Sequence, residues 1–250
     1  CVRSIEAVLP TADQRNMTMH LLILADTTLS GQELPHRNTY TEQFVRRLER
    51  AGHQVVVSYH LPMTLQRAAR LLSDLPLHRY DLILLQLGNL ELQYPPQNAE
   101  VSLHRRLLNT PVALPPSFLR NRLLAWLRFQ QFRLTARRKR TGWRAALERQ
   151  LENVLYPVQL HGHRTILITP FPHRKMEHRW MRQQGAQLFF EMGRRIGVSV
   201  FNTHAVVQER DEYFSDPGSD GGCLSASTHE LLGNTLYDFY RGVPVYLAKQ

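Results

Sequence analysis

Apolar positions along this chain follow two alternating rhythms. Leu21–Ala25, Leu82–Leu87 and Thr165–Thr169 are short apolar runs, and Gln54–Ser58 and Val198–Phe201 are valine-bearing runs of similar length. Runs of this kind read as strands buried on both faces. Between them, apolar residues recur every three or four positions. Phe44, Val45 and Leu48 predict a helix that opens at Thr39 and runs to about Ala51. Thr39 and Glu42 stand at capping-box spacing, and Gly52 supplies a stop. Leu65, Ala68, Ala69, Leu71 and Leu72 predict a second helix over Thr64–Leu75. A long helix follows from about His178 to Ile196, ended by Gly197, and the last lies within Leu224–Tyr240. Five strands with interposed helices predict an α/β fold: a three-layer α/β/α, doubly wound (flavodoxin-like), five-stranded parallel sheet. Sheets of this type bind ligands at the carboxyl ends of their strands.

One stretch breaks the alternation. About seventy residues, roughly Leu92–Arg164, separate the third and fourth strands. Pro95-Pro96 and Pro115-Pro116 punctuate its start, and Leu119–Arg133 has amphipathic helical spacing. We read it as a helical insertion, about residues 92–164, in a single domain over residues 19–250. Residues 1–18 read as a leader extension without the apolar core of a signal peptide.

Charge sharpens this picture. The chain carries a net +10, and Leu119–Gln150 holds ten basic residues against Glu148 alone. Arg137-Arg138-Lys139-Arg140 is the densest run, with Trp126, Phe129, Phe132 and Trp143 nearby. An anionic surface, either membrane or polyanion, is one reading of the insertion, and a solvated face whose apolar side packs on the domain is the other. No nucleic-acid-reading motif accompanies the charge. No apolar stretch reaches bilayer-spanning length, and two cysteines do not make a disulfide framework. A cytoplasmic location is the expectation.

Candidate chemistry clusters at predicted strand ends. The first strand runs into Ala25-Asp26-Thr27-Thr28-Leu29-Ser30-Gly31, and the third into Gly88-Asn89. Asp220-Gly221-Gly222-Cys223-Leu224-Ser225, with His229 beyond, follows the fifth. In this order and spacing the segments resemble the signature blocks of the SGNH (GDSL-type) hydrolases. That family begins with Gly-Asp-Ser, carrying the nucleophilic serine, and ends with Asp-x-x-His, carrying acid and base. The resemblance places Thr27 at the nucleophile, Asp220 at the acid and Cys223 at the histidine. His229 matches a second histidine common in the family. Asp26, Gly88 and Asn89 match positions around the oxyanion and substrate, with Asn89 one residue early. The glycine of the second block has no counterpart in Ser58–Thr64.

The resemblance implies a divergent hydrolase of carboxylic esters, acting on an acyl or acetyl group of a carbohydrate or lipid. A threonine hydroxyl can attack a carbonyl, but a cysteine thiol with a free pKa near 8.5 is no general base at neutral pH. The alternative is a catalytically inactive member that binds a ligand or partner. His229 as substitute base and Cys223 as nucleophile are two possible rescues. Cys223 as a small buried filler and Thr27 as a capping hydroxyl are the plain structural readings, and for Asp26 and Asp220 it is loop hydrogen bonding to backbone amides. His161, His163, His173 and His178 read as surface histidines rather than metal ligands, and no metal or cofactor is implied.

Overall fold

A computed structural model describes residues 18–26, 38–93, 142–174, 176–207, 211–214 and 223–242. Its strands are β1 (Thr18–Ala25), β2 (Gln54–His60), β3 (Leu82–Gln86), β4 (Thr165–Ile168) and β5 (Ser199–Phe201). They form one parallel sheet in the order β2-β1-β3-β4-β5. The chain first winds outward from β1 to β2, then crosses back to β3 on the other side of β1. The direction of winding therefore reverses between β1 and β3, whose carboxyl ends border the natural binding crevice of such a sheet.

Seven α-helices are described: α1 (Tyr40–Arg50), α2 (Leu65–Asp74), α3 (Asn89–Gln93), α4 (142–158), α5 (Met176–Ile196), α6 (Thr203–Val206) and α7 (Ala226–Tyr240). The period-two alternation of strand side chains divides the core. Leu22, Leu24, Ile83, Leu85 and Leu167 face α2, α4 and α5, where they meet Leu72, Leu151, Leu155 and Phe189. Leu21, Ile23, Leu84, Ile166 and Ile168 face the other way, toward Phe44 and Leu48 of α1 and Leu232 and Leu236 of α7. Every β1 residue from Leu21 to Ala25 is wholly buried. A helix layer on each side removes any polar face, which explains the unbroken apolar runs.

Helix starts follow the expected chemistry. The Thr39 hydroxyl accepts from Glu42 N–H, Thr64 from Arg67 N–H, and Ser225 from Thr228 N–H. The Glu42 carboxylate also accepts the Tyr59 hydroxyl at 2.8 Å.

Three boundaries differ from expectation. β1 starts at Thr18, inside the leader as read from sequence. Gly88-Asn89 leads straight into α3, a short helix absent from the sequence reading. Residues 142–158, assigned to the insertion, are a regular core helix with Leu147, Leu151, Val154, Leu155 and Val158 buried. Of the segment's ten basic residues, Arg144 and Arg149 fall in this helix, and Arg144 pairs with Glu191 of α5. Arg137, Arg138, Lys139 and Arg140 lie outside the described residues. Among the described residues, no helix is long and apolar enough to cross a membrane.

Candidate active site

The junction between the ends of β1 and β3 is built around one carboxylate. Asp26 is wholly buried directly after β1, and its backbone N–H donates to the Gln86 carbonyl at 3.0 Å. This bond extends the β1/β3 ladder one step past the last strand residue. The Asp26 carboxylate then accepts three donors from the β3 side. Gln86 Nε2 reaches Oδ1 at 3.1 Å, Asn89 N reaches Oδ2 at 2.8 Å, and Asn89 Nδ2 reaches Oδ1 at 3.3 Å. A buried anion needs such donors, since an unpaired one loses far more hydration than packing returns.

Gly88 makes the approach of Asn89 possible. Its φ is +94°, in the region that favours glycine, and a Cβ there would lie 2.8 Å from Phe189 Cζ. The turn it allows aims Asn89 N–H at Asp26. Asn89 is itself wholly buried, and its Oδ1 accepts Phe171 N–H at 2.8 Å. The carboxamide thus joins the end of β1 to the Pro170-Phe171-Pro172 turn after β4.

This turn is held from two further sides. The Thr203 hydroxyl contacts the Thr169 hydroxyl at 2.9 Å and donates to the Pro170 carbonyl at 3.0 Å. Arg182 of α5 donates from Nη1 to the carbonyls of Phe171 at 3.0 Å and Pro172 at 3.4 Å. Arg182 is only 1% exposed. Burial pushes its guanidinium down to about 10, while attraction to the Asp26 carboxylate works the other way.

Two carboxylate and histidine environments complete the edge. Glu91 of α3 caps the start of α2, accepting Leu65 N–H at 2.7 Å. Burial raises its pKa, opposed by this hydrogen bond. His204 of α6 is pushed down to about 4, first by burial and next by the nearby Arg182 charge.

The residues singled out from sequence separate into distinct groups. Asp26, Gly88 and Asn89 meet at the β1/β3 junction. Both ends of the Asn89 carboxamide are engaged inside the network, where it supports Asp26. The plain reading of Asp26, hydrogen bonding to a backbone amide, is realised through Asn89 N–H. Thr27 and Asp220 lie outside the described residues.

His229 is not poised as a base. It lies within α7, is 1% exposed, and its Nδ1 accepts Tyr40 N–H at 3.2 Å. Its ring stacks on Tyr40 with centroids 6.1 Å apart. Burial pushes its pKa down to about 4, so it is neutral and committed to the α1/α7 contact. Cys223 is exposed, which corrects its reading as a buried filler. Its place just before α7 leaves it outside both apolar layers. His173 is also corrected: it is buried, with its ring 4.7 Å from that of His178. Among the described residues, no group of three His, Cys, Asp or Glu side chains is arranged to hold a metal.

Sequence reasoning missed Arg182 and Gln86. A signal for each was present. Arg182 lies four residues before Ala186 and seven before Phe189, on the stripe that α5 buries. A charge at such a position implies a buried partner. Gln86 is the polar last residue of an otherwise apolar strand.

No protein-family model and no curated protein matches the chain. Solved structures do match. A lipase/acylhydrolase from Enterococcus faecalis aligns with a TM-score of 0.56 at 14% identity, over 90% of this chain and 96% of that one. A member of the lipolytic G-D-S-L family from Veillonella parvula aligns with a TM-score of 0.57 at 8% identity, over 89% and 98%. The psychrotrophic esterase EstA from Pseudoalteromonas gives 0.53 at 13% identity, over 89% and 97%. The chain therefore has the fold seen in these G-D-S-L-type lipolytic hydrolases, at 8–14% sequence identity to the three.

Proposed function

We propose that this chain is an ester hydrolase on the SGNH fold, with Thr27 as nucleophile and Asp220 as its proton acceptor. The observation that carries the reading is the buried Asp26 carboxylate at the β1/β3 junction. It anchors the strand end from which the sequence continues directly into Thr27. Thr27 Oγ1 attacks the ester carbonyl carbon as its proton passes to Asp220. The carbon–oxygen bond to the alcohol then breaks, and the leaving oxygen takes the proton. Water hydrolyses the acyl-threonine by the same route in reverse. The substrate class is an acyl or acetyl ester of a carbohydrate or lipid, and no cofactor enters the scheme. The basic run Arg137–Arg140 would hold the protein against an anionic surface, testable by salt-sensitive liposome binding.

Hydrolysis of short-chain nitrophenyl esters by wild type, Thr27→Ala and Asp220→Ala tests the reading. A general base typically contributes 10²–10⁴-fold, so turnover should fall by at least roughly 100-fold in both variants. Equal background in all three proteins would overturn it.

A second reading has its own support. The exposed Cys223 stands where the resembling family has its histidine, and His229 is locked into the core. With neither of these two positions offering a histidine base, the chain suits a binding module on the same fold that performs no turnover.

A further inference from the structure

We infer that Arg182 is a positioning residue for the Asp26 carboxylate, acting at a distance through Phe171 and Asn89. The links run in one direction. Arg182 Nη1 donates to the Phe171 carbonyl at 3.0 Å, Phe171 N–H donates to Asn89 Oδ1 at 2.8 Å, and Asn89 Nδ2 donates to Asp26 Oδ1 at 3.3 Å. A cation thus stands at one end and an anion at the other, with every intervening donor pointing toward the anion. The Phe171 carbonyl and N–H belong to successive peptide units, so the coupling passes through the geometry of the turn rather than through one polarised amide.

Packing does not explain Arg182. It heads the largest fully buried side chains of the protein, on a helix stripe otherwise filled by residues such as Ala186 and Phe189. Methionine or leucine would fill the space without the desolvation penalty of a guanidinium. What those residues lack is a charge opposite Asp26 and donors for two consecutive carbonyls of the β4 turn. The turn is thereby pulled into position to present Phe171 N–H to Asn89. Asn89 in turn meets Asp26 with both a backbone and a side-chain donor. The catalytic significance of this relay rests on the hydrolase reading, but the relay itself does not.

The test is site-resolved hydrogen exchange by NMR on the full chain, comparing wild type with Arg182→Met, Arg182→Lys and Asn89→Asp. In Arg182→Met, the Phe171 and Asn89 amides should exchange about tenfold faster, equivalent to losing roughly one net hydrogen bond. The side-chain amides of Asn89 and Gln86 should shift with them, while α1 and α7 keep their protection. Arg182→Lys keeps the charge and should restore part of the protection. Asn89→Asp keeps the acceptor for Phe171 but replaces the donor to Asp26 with a second carboxylate, so it should loosen the Asp26 end most. Uniform acceleration in all elements, or unchanged exchange at Phe171 and Asn89, would overturn the inference.

Ester hydrolysis separates this inference from the function it supports. If wild type is active, Arg182→Met should lower kcat with little change in KM. An inactive wild type with the expected exchange pattern refutes the hydrolase reading and upholds the relay. An active wild type whose Arg182→Met variant keeps both its exchange pattern and its kcat refutes the relay alone.

Discussion

Acid should weaken this fold through His229, and the size of the effect follows from its setting. The ring is 1% exposed, and its Nδ1 lone pair accepts Tyr40 N–H. Protonation would place a hydrogen where that bond now forms and leave an imidazolium between α1 and α7. The folded pKa is accordingly pushed from 6.5 down to about 4 by burial. Because the folded state binds this proton less readily than the unfolded state, stability is full above pH 6.5. It is lost progressively as pH falls toward 4. At 1.36 kcal/mol per unit, the whole interval is worth about 3 kcal/mol, and the part between pH 6.5 and 5 about 2 kcal/mol. His204, also pushed down to about 4, adds a term of the same sign. His229→Asn isolates the first term, because an asparagine Oδ1 can accept Tyr40 N–H but does not titrate. Losing the imidazole packing should make this variant less stable than wild type at pH 7. Urea unfolding followed by circular dichroism at pH 7, 6 and 5 should show the two stabilities converging by about 2 kcal/mol. Parallel curves, with a constant gap at all three pH values, would refute this account of His229.

Three substitutions test the rest of the architecture. Gly88→Ala forces a side chain into a left-handed backbone and against Phe189, so it should lower stability by about 2–4 kcal/mol. At this chain length that is a fall of roughly 5–15 °C in melting temperature, and a change below about 2 °C would contradict it. Asp26→Asn puts an amide among three N–H donors and leaves Arg182 without its counter-charge, for a loss of about 3–5 kcal/mol in urea unfolding. A neutral effect would remove the carboxylate from the centre of the site. Gly233→Ala builds a Cβ 2.7 Å from the Tyr40 carbonyl and 2.5 Å from Gln43 Cβ, so α7 must move off α1. It should lose about 1–3 kcal/mol and shift the Tyr40 amide resonance, and an unchanged spectrum would show that the helices are not in this close contact.

Much of the sheet was legible because parallel strands covered on both faces must be apolar throughout. Leu21–Ala25 and Leu82–Gln86 could scarcely be anything else, and the capping hydroxyl of Thr39 announced α1. The three residues Asp26, Gly88 and Asn89 could be singled out, because strand ends and short polar motifs are local features. Their roles were less legible. Nothing local shows that the Asn89 carboxamide spans from Asp26 to Phe171, a residue 82 positions away. Cys223 seemed small enough for the core, and His173 polar enough for the surface, and each took the opposite place.

The amino-acid pattern by itself determined the strands, the helices, their order and the edge where a site forms. Those depend on periodicity and on neighbours a few residues apart. Tertiary structure alone decided which charges are buried and what compensates them. Asp26 and Arg182 are 156 positions apart in the chain, and neither spacing nor composition links them. Only the folded sheet brings β1, the β4 turn and α5 together at one edge, where water is excluded and a buried carboxylate must find its donors within the protein.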